Sequence, residues 1–360
     1  MIKLLIVDDS ALMRRQLAGL FTQAGGFEIR QARNGREAIA ENHAFAPDVI
    51  TLDINMPEMD GLTALSVIMT ERPVPVVMVS SLTEQGAMAT LEALNMGAVD
   101  YIPKPGGTIS LSIEEIERDL ISKVRAAARS QLRKAPAAIR APAPRAALRP
   151  SAAISRLRAA PRPTGRASGD GLVLIGVSTG GPRTLEEILP LLPANFPWPV
   201  LVVQHMPAAF TKSFADRLNR ICELEVIEVS TPSAIEPGMV YIARGGADMV
   251  LAKRADGLYA VPRPESAQHL WHPSVELLGR SALAHVPANA LVAVMLTGMG
   301  NDGAQSFTEI ARRGGRTIAE SDETAIVYGM PRELVELGGA KMVLPAHRIA
   351  DQLRNWAEVD

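Results

Sequence analysis

Short apolar runs alternate with stretches of helical period from Ile2 to about Arg129. KLLIV, FEIRQA, DVITLD, PVVMVS and VDYIP read as strands, each followed by a helix-like segment. That alternation predicts five βα units around a parallel sheet. Between about Ser130 and Gly169 the pattern stops, and the chain is rich in Ala, Pro and Arg without one acidic residue. Such a stretch reads as a self-repelling spacer; the alternative is a basic segment that recruits an acidic partner or an anionic surface. From Gly171 the α/β texture returns, with strand candidates LVLIG, VLVVQ, LVAVML and RTIAE and helices after Pro182, Ala208, Pro273, Gly303 and Pro331. The expected domains are therefore 1–129 and 170–360, joined by 130–169, and the second is also expected to be a mostly parallel sheet flanked by helices. No internal repeat is evident.

Length agrees with two cores, since 360 residues exceed one ordinary domain. With 47% hydrophobic and 21% charged residues the composition is that of a soluble globular protein, and a net charge of -2 gives no reason to expect nucleic acid. The only cysteine, Cys222, excludes an intramolecular disulfide and fits a reducing cytoplasm. It lies in an amphipathic helical segment away from any Gly-rich turn, so a half-buried structural thiol is expected there. The opening MIKLLIVDDS meets two aspartates before a long apolar run develops, and no run approaches the ~18 residues of a membrane span. A cytoplasmic protein without membrane insertion is expected.

Function in parallel α/β sheets gathers at the carboxyl ends of strands. In the first domain those ends carry Asp8 and Asp9, then Asp53, then Ser80 and Ser81, and Lys104 follows the fifth run. Carboxylates crowded at one edge repel one another, and a divalent cation relieves that repulsion. Mg²⁺ suits such a site because it shares carboxylate, water and phosphate oxygens. Asp53 would then be a phosphoryl acceptor, with Lys104 and Ser80 facing the phosphoryl oxygens. The competing account of Asp8 and Asp9, a capping pair for a helix at Ala11, leaves Asp53 and Lys104 unexplained.

LIVDDSALMR, DVITLDINMPEMDGL, PVVMVSS and DYIPKP resemble response-regulator receiver domains, which have a flavodoxin-like fold. The resemblance implies that Asp53 takes a phosphoryl group from a histidine kinase. It also implies that Asp9, Asp53 and the backbone carbonyl of Asn55 hold the metal, with Asp8 beside them or acting through water. Tyr101 falls where receivers carry an aromatic that changes exposure on phosphorylation; a half-buried strand tyrosine accounts for it equally well.

In the second domain, Gly176-Val177-Ser178-Thr179-Gly180 matches G-x-S-x-G between a strand and a helix signalled by Pro182. The same glycines could serve a phosphate-binding turn. A serine nucleophile needs an imidazole base held by a carboxylate. Of six histidines, His205 alone directly follows a continuous apolar strand; His269 and His272, flanking Trp271, keep a possible groove role. Asp302 follows the strand LVAVML and its glycines, and a cap before Gly303 is its bland alternative.

IGVSTGGP, VVQHMP, LTGMGNDG and VYGMPRE resemble the CheB family, the protein-glutamate methylesterases and glutamine deamidases of bacterial chemotaxis. The order Ser, His, Asp differs from that of α/β-hydrolases. The resemblance implies Ser178 as nucleophile, His205 as base and then acid, Asp302 as its orienting group, the Met299 N–H as oxyanion donor, and Thr179 as a support for His205. It implies chemoreceptors as substrates and no cofactor for ester hydrolysis. Three rival readings are a DNA- or protein-binding output domain, for which no helix-turn-helix pattern exists, a dinucleotide site, which lacks G-x-G-x-x-G, and a general small-molecule esterase.

Overall fold

The computed structural model describes residues 1–80, 83–104, 113–130 and 171–358. Ser81 and, apart from Ser130, the expected spacer lie outside the described residues.

In the N-terminal domain, β1 (Ile2–Val7), α1 (Ala11–Ala24), β2 (Phe27–Ala32), α2 (Gly35–Phe45), β3 (Val49–Asp53), α3 (Gly61–Glu71), β4 (Val76–Ser80), α4 (Glu84–Met96), β5 (Asp100–Pro103) and α5 (Ile113–Arg129) follow in order. The sheet runs β2-β1-β3-β4-β5 with every neighbouring pair parallel. β3 and β4 are buried throughout because helices cover both faces. Ser10, Asn34, Asp60 and Thr83 begin four of the helices, each side chain accepting a backbone N–H from the first turn. A cap of this kind stabilises a helix by about 1 kcal/mol. Strand order reverses between β1 and β3, so the residues ending these two strands face one crevice.

The C-terminal domain comprises β6 (Leu172–Val177), α6 (Gly181–Ile188), β7 (Val200–Gln204), α7 (Ala208–Ile221), β8 (Glu225–Val229), β9 (Ser233–Ala234), β10 (Met239–Ala243), β11 (Asp248–Arg254), β12 (Gly257–Arg263), α8 (Val275–His285), β13 (Leu291–Met295), α9 (Ala304–Arg312), β14 (Arg316–Glu320), α10 (Met330–Glu336), β15 (Met342–Leu344) and α11 (Ala346–Ala357). Its seven-stranded sheet has the order β15-β14-β13-β6-β7-β10-β8 and is parallel throughout. The switch point falls between β6 and β13, which places Ser178 opposite the loop that begins at Thr297. β9, β11 and β12 form a separate antiparallel ribbon that the strand pattern above did not include.

The two domains touch along the α4–β5–α5 edge of the first. α4 packs on α6 and α7, and Tyr101 stacks on Phe210 of α7 with ring centroids 4.6 Å apart. Ile326 joins the apolar cluster of the first domain that includes Leu120 and Val124 of α5.

Candidate active site

β6 ends at Val177 and α6 begins at Gly181, so Ser178 sits on the turn between them. Its N–H donates to Thr297 O at 2.9 Å, and its carbonyl accepts from Gly181 N at 2.8 Å and Gln204 Nε2 at 2.9 Å. These bonds fix the backbone and leave the side chain at the sheet edge. A Cβ at Gly298 would lie 2.7 Å from Ser178 Cβ, so only glycine lets the loop after β13 pass this close.

His205 follows β7, its N–H bonded to Val177 O at 3.0 Å. Nε2 lies 2.9 Å from Asp302 Oδ2, with the two side chains 9% and 3% exposed. Nδ1 is buried without a hydrogen-bond partner. No hydrogen bond among the described residues joins Ser178 Oγ to His205; apo sites often tighten only with substrate bound.

Asp302 also accepts from Ser274 Oγ at 2.9 Å, Val275 N at 2.6 Å and Glu276 N at 3.0 Å. It therefore serves the N-terminus of α8, not that of α9, whose N-cap Gly303 offers no side-chain cap. Burial opposes the charge on Asp302, but the bond and charge of His205, with the Val275 and Glu276 N–H groups, outweigh it and hold the carboxyl below the usual aspartate range. A carboxylate with a depressed folded pKa stabilises the fold above its unfolded pKa, and that contribution fades as pH falls through the folded value. Asp302→Asn is expected to be less stable than wild type at neutral pH, with the gap closing under strongly acid conditions; thermal melts across that range read the difference.

Thr179 departs from expectation. Its hydroxyl donates to Asp100 Oδ2 of the N-terminal domain at 2.6 Å, not to His205. Asp100, buried at the start of β5, accepts this bond, while the Nε2 of His205 is committed to Asp302. Asp100 also lies 3.6 Å from Lys123 Nζ, and burial raises its pKa while Lys123 and Thr179 partly offset that rise. The Met299 N–H donates to no described residue, as an oxyanion donor requires, while its sulfur accepts from Ser122 Oγ at 2.9 Å. Cys222 caps α7, its thiol pushed up to about 12 by burial and the charge of Glu186, which suits a structural role.

In the N-terminal crevice, Asp8, Asp9 and Asp53 bring oxygens within 4.8 Å of one another. Lys104 Nζ lies 2.7 Å from Asp53 Oδ2 and 3.5 Å from Asp8 Oδ2, which is buried and has no hydrogen-bond partner. Burial lifts the Asp53 pKa against the pull of Lys104. Buried and unsatisfied carboxylate oxygen at an all-oxygen cluster fits a hard divalent cation. Asn55 lies two residues past Asp53, its N–H 3.4 Å from Asp53 Oδ1. Ser80 ends β4, buried, with Oγ 3.3 Å from Gly86 O. Ser10, not Asp9, caps α1. Tyr101 is buried, and its hydroxyl, without a partner, is held well above the ordinary phenol pKa by burial and by Asp100.

Several supporting residues went unread in the sequence. Trp271 stacks on His205 with centroids 5.6 Å apart and planes 3° from parallel. Thr297 holds the loop after β13, its N–H donating to the buried Glu320 Oε2 at 2.8 Å and its hydroxyl to Thr179 O at 2.9 Å. Only Ser274 had a local signal, a serine just before a helical period.

Two α/β domains, an acidic crevice on the first and a Ser, His, Asp edge on the second, define a response regulator with a hydrolase output domain. Residues 173–353 match the CheB methylesterase family, and residues 4–113 match the response regulator receiver domain. The chain is 55% identical to protein-glutamate methylesterase/protein-glutamine glutaminase 3 of Rhodospirillum rubrum, over 99% of this chain and 96% of that one. It is 52% identical to the corresponding protein 2 of Rhodopseudomonas palustris, over 100% and 99% of the two chains. The crystal structure of the Thermotoga maritima CheB methylesterase catalytic domain, 40% identical, superposes with a TM-score of 0.50 and covers 52% of this chain and all 100% of that one. The chain belongs to the CheB family.

Proposed function

We propose that this protein hydrolyses glutamate γ-methyl esters on chemoreceptors, deamidates receptor glutamines by the same route, and is controlled by phosphorylation of Asp53. The observation that carries the reading is the His205–Asp302 pair beside the Ser178 turn at a sheet switch point.

Ser178 Oγ attacks the ester carbonyl as its proton passes to His205. Nδ1 is the nitrogen available for that proton, because Nε2 faces Asp302. The oxyanion is received by the Met299 N–H, and preorganised donors of this kind contribute about 3 kcal/mol or more. Collapse breaks the ester C–O bond, and His205 returns the proton to the departing methoxide, giving methanol. Water activated by the same imidazole then splits the acyl-enzyme to glutamate and free Ser178. With glutamine the leaving group is ammonia. Asp302, kept ionised by its four donors, fixes the imidazole and stabilises the imidazolium.

Chemoreceptors supply the substrate, and a chemotaxis histidine kinase supplies the phosphoryl group. Asp9, Asp53 and Asn55, with Asp8 adjacent, would hold Mg²⁺, which supplies neutralisation of phosphoryl charge when bound. Asp53 is the acceptor and Lys104 the cation facing the phosphoryl oxygens.

The receiver bears on the groups flanking the nucleophile: Asp100 on Thr179, Ser122 on Met299, Tyr101 on Phe210. A docked receiver limits access to the edge, and phosphorylation shifts the pair toward an open arrangement. A fragment starting at Gly171 is therefore expected to turn over several-fold faster than the unphosphorylated full chain; slower turnover would mean that the receiver activates by contact. The founding test is methanol release from methylated receptor cytoplasmic domains, and unrelated esters cleaved at equal rates would favour a general esterase.

A further inference from the structure

The segment Trp271–Ser274 reaches both members of the His205–Asp302 pair. Trp271 lies flat against the His205 ring, and Ser274 Oγ donates to Asp302 Oδ1 at 2.9 Å, shorter than the 3.4 Å at which it accepts from Leu277 N as a helix cap. His272 and Ser274 of this segment are tied to one buried carboxylate. Asp248, at the start of β11 and 1% exposed, accepts from Ser274 N at 2.9 Å and faces His272 Nδ1 at 3.1 Å. It also accepts from Ser266 N at 3.1 Å, which pins the approach to the segment. On the other side, a Cβ at Gly300 would meet Trp271 Cζ2 at 2.8 Å, so the bare Gly300 lets the indole lie against the loop that carries Met299.

We propose that Trp271 and Ser274, anchored through Asp248, are positioning residues for the reaction, one acting on the imidazole and the other on its carboxylate. The proposal rests on the assignment of Ser178, His205 and Asp302 given above. Space-filling alone does not require a half-buried indole to lie parallel to an imidazole, and capping alone does not require the serine hydroxyl to favour a carboxylate from another loop. An indole face attracts a cation within about 6 Å of its centre. The imidazole becomes a cation only as Ser178 attacks, so the stack strengthens on the way to the transition state, where it raises kcat more than it lowers KM. Ser274 works in the same direction: a hydrogen bond to Oδ1 leaves Oδ2 aimed at Nε2 and resists rotation of the carboxylate as charge develops. His272, a candidate for a groove role in the sequence, is instead part of the anchor.

The test uses full-length, phosphodonor-activated protein and methylated receptor cytoplasmic fragments, with turnover expressed per site labelled to completion by a fluorophosphonate, so that unfolded protein is not counted. Trp271→Leu and Ser274→Ala are each expected to lower kcat by about ten-fold or more with KM changed less than about two-fold. Trp271→Phe and Ser274→Thr, which keep a ring face and a hydroxyl, are expected to recover most of the loss. Wild-type kcat per labelled site in Trp271→Leu and Ser274→Ala, or a loss confined to KM, overturns the proposal. Turnover surviving in Ser178→Ala would instead overturn the nucleophile assignment beneath it.

Discussion

Ser178→Ala is expected to lower kcat for methyl-ester hydrolysis by about 10⁴- to 10⁶-fold, the scale that follows when the nucleophile of a three-residue machine is removed. The size follows from chemistry: without Oγ no acyl-enzyme forms, and His205 and Asp302 have no group to activate. The fold should survive, because every structural bond of Ser178 described above runs through its backbone N–H and carbonyl. Residual turnover then reflects only what the oxyanion donor and binding give to direct attack by water. Methanol release from methylated receptor fragments, measured beside an unchanged thermal melt, checks both halves. Near-normal release would remove Ser178 from the reaction and leave the His205–Asp302 pair in need of another nucleophile.

Asp53→Asn is expected to abolish stimulation by a small-molecule phosphodonor, so that the ratio of activities with and without donor falls to one. The amide matches the carboxylate in size, so the buried end of β3 keeps its packing, yet it has no anionic oxygen to attack phosphorus. It also removes the charge that faces Lys104 at 2.7 Å and one member of the three-carboxylate cluster. The coupling to be lost is modest in energy. Moving a two-state balance from 1:99 to 99:1 takes about 5.5 kcal/mol, and smaller shifts already change activity several-fold. The contacts that make up the docked state are of that order: one aromatic stack, one buried hydroxyl–carboxylate bond and an apolar patch around Ile326. Stimulation that persisted in Asp53→Asn would place the phosphoacceptor elsewhere.

β1, β3, β4, β6, β7 and β13 were legible because each is an apolar run buried over most of its length, and β2, β5 and β14 because they alternate with helical stretches. β8, β10, β15 and the ribbon of β9, β11 and β12 were not. β8, EVIEV, is interrupted by charge and lies at the sheet edge, where it is only partly buried. β11 and β12 mix apolar and charged residues around Asp256-Gly257, a turn signal that becomes persuasive only beside a partner strand. The candidate site divides similarly. Asp53 ends β3, Ser178 and His205 directly follow β6 and β7, and Asp302 lies in the glycine-rich loop after β13, positions that can be counted from the chain. Thr179 could not be placed that way, because its hydroxyl is claimed by Asp100 from the other domain.

By itself, then, the sequence determined two parallel α/β domains and supplied the candidates for the carboxylate crevice, the nucleophile, the base and its orienting carboxylate, since hydrophobic period and position after a strand are local properties. Tertiary structure decided which nitrogen of His205 meets Asp302, that Asp302 is held by the first turn of α8, that Trp271 covers the imidazole, and where the receiver bears on the active edge. Those are contacts between residues tens to hundreds of positions apart, and they depend on strand order and packing, for which a linear pattern carries no record.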